Sequence, residues 1–159
     1  MYKIKIRSNS PEDTIKIGNK LAKLLTKGDV VVLSGDLGSG KTKFVEGFLY
    51  NFNLQNEISS PTFNIINEYT SSNNNIFHFD VYRLEDSDEF YAIGGEEYFE
   101  KGICLIEWGE LVSDVLPKDY IHVIIHKDSN NENLRIFEFI VNNDSKYIDV
   151  LNRFKSSFQ

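Results

Sequence analysis

The stretch Asp29–Phe44, DVVVLSGDLGSGKTKF, decides how the rest of the chain is read. Val30 to Leu33 is a continuous β-branched and aliphatic run, the pattern of a strand covered on both faces. Gly35, four further residues and then Gly40-Lys41-Thr42 spell the phosphate-binding loop pattern. Gly35, Gly38 and Gly40 permit backbone angles that other residues resist, so successive amides can converge on an anion. From Lys41 to about Phe52, the residues Phe44, Val45, Phe48, Leu49 and Phe52 recur at helical spacing. The start of that helix adds unpaired N–H groups and its dipole. Lys41 is placed to reach the β and γ phosphates, and the Thr42 hydroxyl to complete a magnesium shell. Strand, glycine loop and helix in that order predict a nucleotide site. The Asp36 carboxylate would repel phosphate, so it is expected to point outward or to bond loop backbone.

The remaining chain suits this reading. Its 159 residues, 41% hydrophobic and 13% aromatic, match one globular unit and argue against disorder. No apolar run approaches the ~20 residues of a membrane-spanning helix. The opening MYKIKIRSNS alternates like a strand and lacks the apolar stretch of a signal peptide. Cys104, the one cysteine, lies in the apolar run ICLI, which predicts burial. A soluble, reducing, cytoplasmic setting is expected. The net charge of -7 and only four arginines (Arg7, Arg83, Arg135 and Arg153) make direct gripping of a nucleic-acid backbone unfavourable, so any RNA role is expected to be indirect.

Patterning predicts a helix over SNSPEDTIKIGNKLAKLLTKG. Ser10 would cap it, Pro11 would open it, and Ile17, Leu21, Leu24 and Leu25 would form its apolar face up to a stop at Gly28. FNIINEY and IFHFDVY read as an antiparallel hairpin, as do YIHVIIH and LRIFEFIV. Two short helical pieces broken at Gly94-Gly95 lie between the hairpins, followed by the buried strand ICLIEW. The tail from about Asp144 to Phe158 reads as an amphipathic helix. The expectation is an α/β, P-loop NTPase-like fold with a central mixed sheet, flanking helices and antiparallel hairpin strands, built as a single P-loop ATPase domain over residues 1–159.

Hydrolysis needs acidic groups as well as a phosphate loop. Glu107 ends the ICLIEW strand, which puts its carboxylate at the mouth of the sheet. There it would hold magnesium, directly or through water, or orient the nucleophile. Alternation in HFDVYRL puts His78, Asp80 and Tyr82 on one face, which makes Asp80 a second metal or water-placing group, or a salt-bridge partner of Arg83. SSPTF reads either as a switch segment in which Thr62 meets the metal or the γ phosphate, or as a rigid turn that opens the hairpin. Trp108 either stacks near the base or covers core, and His78 reads as structural.

The motifs GDLGSGKTKF, SSPTFNIINEY, FHFDVYRL, AIGGEEYF and LIEWGE, in that order and spacing, resemble the TsaE (YjeE) family of small bacterial ATPases. The resemblance covers nearly the whole chain, apart from the tail after Val141. It implies ATP or ADP with Mg2+ as cofactors. The implied function is in making N6-threonylcarbamoyladenosine at position 37 of tRNA, where hydrolysis resets an assembly of TsaD and TsaB. The candidate nucleotide contacts are Thr14, Asp36, Leu37, Gly38, Ser39, Gly40, Lys41, Thr42, Phe44, Trp108 and Arg135. The candidate catalytic set is Lys41, Thr62, Asp80 and Glu107, with Thr42, Asp80 and Glu107 as metal ligands. A small-molecule kinase is the alternative, weakened by the absence of an arginine-rich lid. A GTPase lacks its Asn-Lys-x-Asp segment, and a nucleotide-sensing module remains open.

Overall fold

The structure is a computed structural model that describes residues 1–36, 38–58, 65–72 and 74–159. Tyr2–Ser8 forms β1, with Ile4, Ile6 and Ser8 turned inward in strict alternation. Pro11–Ala22 forms α1. The Ser10 side chain accepts the Asp13 N–H, and Glu12 and Asp13 sit in the first turn, where the helix dipole favours acids. The helix stops six residues before Gly28. Leu24 and Leu25 bond back to Leu21 and Ala22 in tighter turns instead. Gly28, at φ +96°, donates its N–H to the Gly102 carbonyl and so sets the entry of the next strand.

That strand, β2 (Val30–Ser34), is buried along its whole length. It leads through the glycine loop into α2 (Lys41–Tyr50). β3 (Ile66–Ser71) and β4 (Asn74–Asp80) form the first antiparallel hairpin. α3 (Ser87–Ala92) and a 3-10 turn (Gly95–Tyr98) meet at Gly94, as expected, and lead to β5 (Ile103–Glu107). A further 3-10 stretch (Gly109–Val115) precedes β6 (Ile121–Lys127) and β7 (Arg135–Val141), the second antiparallel hairpin. The tail helix α4 (Ile148–Ser156) is shorter than the patterning predicts.

The strands form one seven-stranded mixed sheet in the order β1-β7-β6-β2-β5-β4-β3. β2 runs parallel to β5 and to β6, and β4 runs parallel to β5, so these strands end at one edge. On one face, Val31, Leu33, Leu105 and Val123 lie in a core shared with α1 and α2. On the other, Val30, Val32, Cys104 and Ile106 pack with Phe79 and Phe90. Cys104 is fully buried as predicted, and burial pushes its thiol up to about 12. α4 closes the first core through Phe154, edge-on to Phe139, and the buried Tyr147 hydroxyl donates to Asp29 Oδ1 at the foot of β2. Among the described residues, no helix is long and apolar enough to cross a membrane.

α1 and α2 touch backbone to backbone. A Cβ at Gly47 would lie 1.9 Å from the Ile15 carbonyl oxygen, and one at Gly18 would lie 2.1 Å from that of Phe44. Gly47→Ala is therefore expected to lower the unfolding free energy by about 1–3 kcal/mol, the range of core overpacking, as read by urea denaturation. An unchanged midpoint would mean that the helices can separate freely. Cys104 is expected to be inert to a thiol reagent at pH 8 until the protein is denatured.

Candidate functional site

The loop between β2 and α2 is shaped by its glycines. Gly38 (φ +79°) and Gly40 (φ +109°) occupy the left-handed region that a side chain resists. A Cβ on Gly35 would meet the Ser39 hydroxyl at 2.6 Å. The Ser39 N–H donates to the Asp36 carbonyl, which closes a turn, while the Asp36 residue itself is exposed, in line with an outward carboxylate. Gly40 caps α2 without a side chain, so the first-turn amides have no side-chain acceptor there. Ser39 is 1% exposed, yet among the described residues its hydroxyl has no hydrogen-bond partner, an unusual state for a buried polar atom.

Lys41, the first residue of α2, reaches back over this loop. Its ammonium donates to the Gly35 carbonyl at 2.6 Å, stands 3.9 Å from Glu107 Oε1, and lies 4.5 Å from the centre of the Trp108 ring. Trp108 thus sits beside Lys41 and, half-buried, also packs against the second core, as the covering role foresaw. It tilts against the exposed Tyr82 ring at 5.3 Å and adopts a left-handed φ of +63°, a rare conformation for a bulky residue. The tight fit of Gly109 against Val32 and Ile106 follows this turn.

Parallel pairing aligns Glu107 with Leu33 on one side and Asp80 on the other. Glu107, Asp80 and His78 share the sheet face that carries α2. Asp80 Oδ1 accepts the Tyr82 N–H at 3.0 Å. His78, read from sequence as structural, is 4% exposed, and its Nε2 lies 2.6 Å from Glu107 Oε2. The alternation around Asp80 placed both residues on one face, but nothing along the chain marked Glu107 as their neighbour.

Other candidates come close without facing the same way. Arg135, at the start of β7, donates from Nε to the Ser39 carbonyl and from a terminal nitrogen to that of Gly38, so it braces the loop from behind. Lys127, at the end of β6, has its ammonium 3.7 Å from where a Gly38 Cβ would stand. A polar groove of about 630 Å³ opens between these two, lined also by Asp128, Asn130 and Asn133. Thr14 is buried under the loop, its hydroxyl shared with Ser8 and its methyl 3.7 Å from a Gly40 Cβ. Thr42 is exposed on the first turn of α2. The Phe44 ring is drawn into the core against Phe137, away from the site surface. Leu37 and Thr62 lie outside the described residues.

A second polar cluster, unmarked in the sequence, occupies the opposite sheet face. The Ser34 hydroxyl bonds Glu110 and lies 2.8 Å from His122 Nε2. Burial pushes the His122 imidazole down, against the pull of Glu110 and Glu138.

A parallel strand passing through a glycine cradle into a helix, with a carboxylate on the neighbouring strand end, defines a P-loop NTPase-like fold. The chain belongs to the TsaE family: residues 8–136 match the model of the threonylcarbamoyl adenosine biosynthesis protein TsaE. It is 36% identical over 154 residues to the tRNA threonylcarbamoyladenosine biosynthesis protein TsaE of Bacillus subtilis, covering 96% of each chain. The protein of the same description from Rickettsia felis is 39% identical over 145 residues, covering 90% of this chain and 84% of the relative. The crystal structure of Bacillus subtilis YdiB superposes with a TM-score of 0.80 at 31% identity, covering 99% of this chain and 97% of that one. The chain is thereby placed in tRNA threonylcarbamoyladenosine biosynthesis.

The Arg135 brace has a direct readout. Arg135→Gln is expected to speed amide hydrogen exchange at Gly38 to Lys41 by roughly tenfold, the scale of losing a charged hydrogen bond, with little change in the urea midpoint. Unchanged exchange would remove Arg135 from the loop's support.

Proposed function

We propose that this chain is a Mg2+-dependent P-loop ATPase whose hydrolysis resets a TsaB–TsaD complex during modification of position 37 in tRNA. The observation that carries the reading is the Lys41 ammonium, 3.9 Å from Glu107 Oε1 at the head of a helix with no side-chain cap. The donor set suits a phosphate chain. Positive-φ glycines and the first-turn amides supply N–H groups, and the Ser39 hydroxyl, without a partner among the described residues, supports a loop with polar capacity to spare.

The residues also suit magnesium. Among the described residues, no group of three or more His, Cys, Asp or Glu side chains is placed to hold a metal ion. Mg2+ commonly binds through one or two protein oxygens together with substrate phosphates, and Thr42 and Glu107, with Asp80 beside them, would serve in that way. When bound, the ion neutralises charge on the β and γ oxygens. In this reading Lys41 trades the Gly35 carbonyl for phosphate oxygens. Asp80, the neighbour of Glu107 across β4 and β5, orients the attacking water and takes its proton while Glu107 serves the metal. Arg135 keeps the Gly38 and Ser39 carbonyls turned outward so that amides face the anion. The role of Thr62 rests on the family resemblance.

The acidic balance of -7 supports work through partner proteins, with tRNA engaged indirectly, and the pathway suits a cytoplasmic setting.

Lys41→Ala is expected to weaken ADP binding roughly 10- to 100-fold. Glu107→Ala is expected to retain ADP binding while slowing hydrolysis by roughly 100-fold. Calorimetric ADP titration and phosphate release, the latter with and without TsaB–TsaD, check both. Retained affinity in Lys41→Ala would overturn the loop assignment, and the absence of stimulation by the complex would overturn the coupling.

A further inference from the structure

We propose that His78 is the positioning residue that aims the Glu107 carboxylate at the phosphate loop; this rests on Glu107 serving the metal as proposed above. An ionised carboxylate can only accept, so the 2.6 Å contact puts a proton on His78 Nε2, which donates to Glu107 Oε2. One carboxylate oxygen is thereby anchored inward on β4. The other, Oε1, is left facing Lys41 at 3.9 Å, on the side of the loop.

His78 Nδ1 is buried and, among the described residues, has no hydrogen-bond partner. Packing alone would be served better by an apolar residue, because a buried polar atom left unpaired is destabilising. His78 points the same way along β4 as Ile76, which lies in the apolar core. The fold keeps that nitrogen there, and the hydrogen bond the imidazole makes among the described residues goes to the strand-end carboxylate that faces Lys41. A partner behind a metal-binding carboxylate sets its orientation, and losing such a partner typically weakens metal binding 10–100-fold.

The test reads metal binding directly. Mn2+, as a probe for the divalent site, is titrated by electron paramagnetic resonance onto the ADP complex, and metal-free ADP affinity is measured beside it. His78→Asn puts its amide near the position of Nδ1 and cannot reach Glu107, while His78→Phe keeps the ring and removes the donor. Both are expected to bind Mn2+ at least about tenfold more weakly, with metal-free ADP affinity unchanged. His78→Gln, whose amide nitrogen falls near the position of Nε2, is expected to recover most of the affinity. Glu107→Gln is expected to weaken Mn2+ binding by itself, and adding His78→Asn to it to bring no further loss.

Wild-type Mn2+ affinity in both His78→Asn and His78→Phe, beside a weakened Glu107→Gln, would overturn the positioning role and leave Glu107 in place. Additive losses in the double variant would overturn it too, as would a loss of metal-free ADP binding in the His78 variants. Failure of His78→Gln to recover affinity would overturn the Nε2 contact. Unchanged Mn2+ affinity in Glu107→Gln would sink the Glu107 reading itself, and His78 with it.

Discussion

The site depends on parallel hydrogen bonding on both sides of β2. Pairing with β5 sets Leu33 beside Glu107, and pairing of β5 with β4 sets Glu107 beside Asp80. A slip of one residue at either ladder would turn the affected carboxylates to the opposite face, away from the helix that begins at Lys41. Parallel neighbours also end at the same edge, so the strand-end acids and the glycine loop come together without any element reaching across the sheet. The antiparallel strands β7 and β3 flank this unit, and β7 contributes Arg135 to the loop's support.

The loop was legible because phosphate binding constrains sequence tightly: glycines, a lysine and a hydroxyl at fixed spacing leave few other readings. The two hairpins were legible for a similar local reason, since alternation and polar turns sit next to each other in the chain. Gly28 misled because a glycine after an apolar helical pattern looks like a stop. Here Leu24 and Leu25 tighten into single turns, and Gly28 serves the strand that follows through its bond to Gly102. Phe44 lies within the motif, but helical geometry turns its ring underneath the loop. His78 shows the opposite limit. Its face was readable, yet its partner lies 29 positions away on a parallel strand, and strand order is not written in local pattern.

Charge is arranged locally and not globally. A chain of net charge -7 brings Lys41, Lys127 and Arg135 to one glycine loop, with Glu107 close against the first of them. Screening confines such effects to about 8–10 Å in solution, so an anion would meet the loop's neighbourhood more than the chain's average. Arg135 directs its guanidinium to the Gly38 and Ser39 carbonyls, which shapes the loop.

Gly18 and Gly47 leave main chain seated on main chain between α1 and α2. Helices ordinarily meet through side-chain ridges seated in grooves, and at these two points the backbones meet directly, with the side chains of Ile17, Leu21, Phe44 and Phe48 packed around them. Thr14 extends that seam, its methyl 3.7 Å from a Gly40 Cβ position and its hydroxyl shared with Ser8, so the glycine loop is stitched by short-range contacts to α1 and to the outermost strand of the sheet.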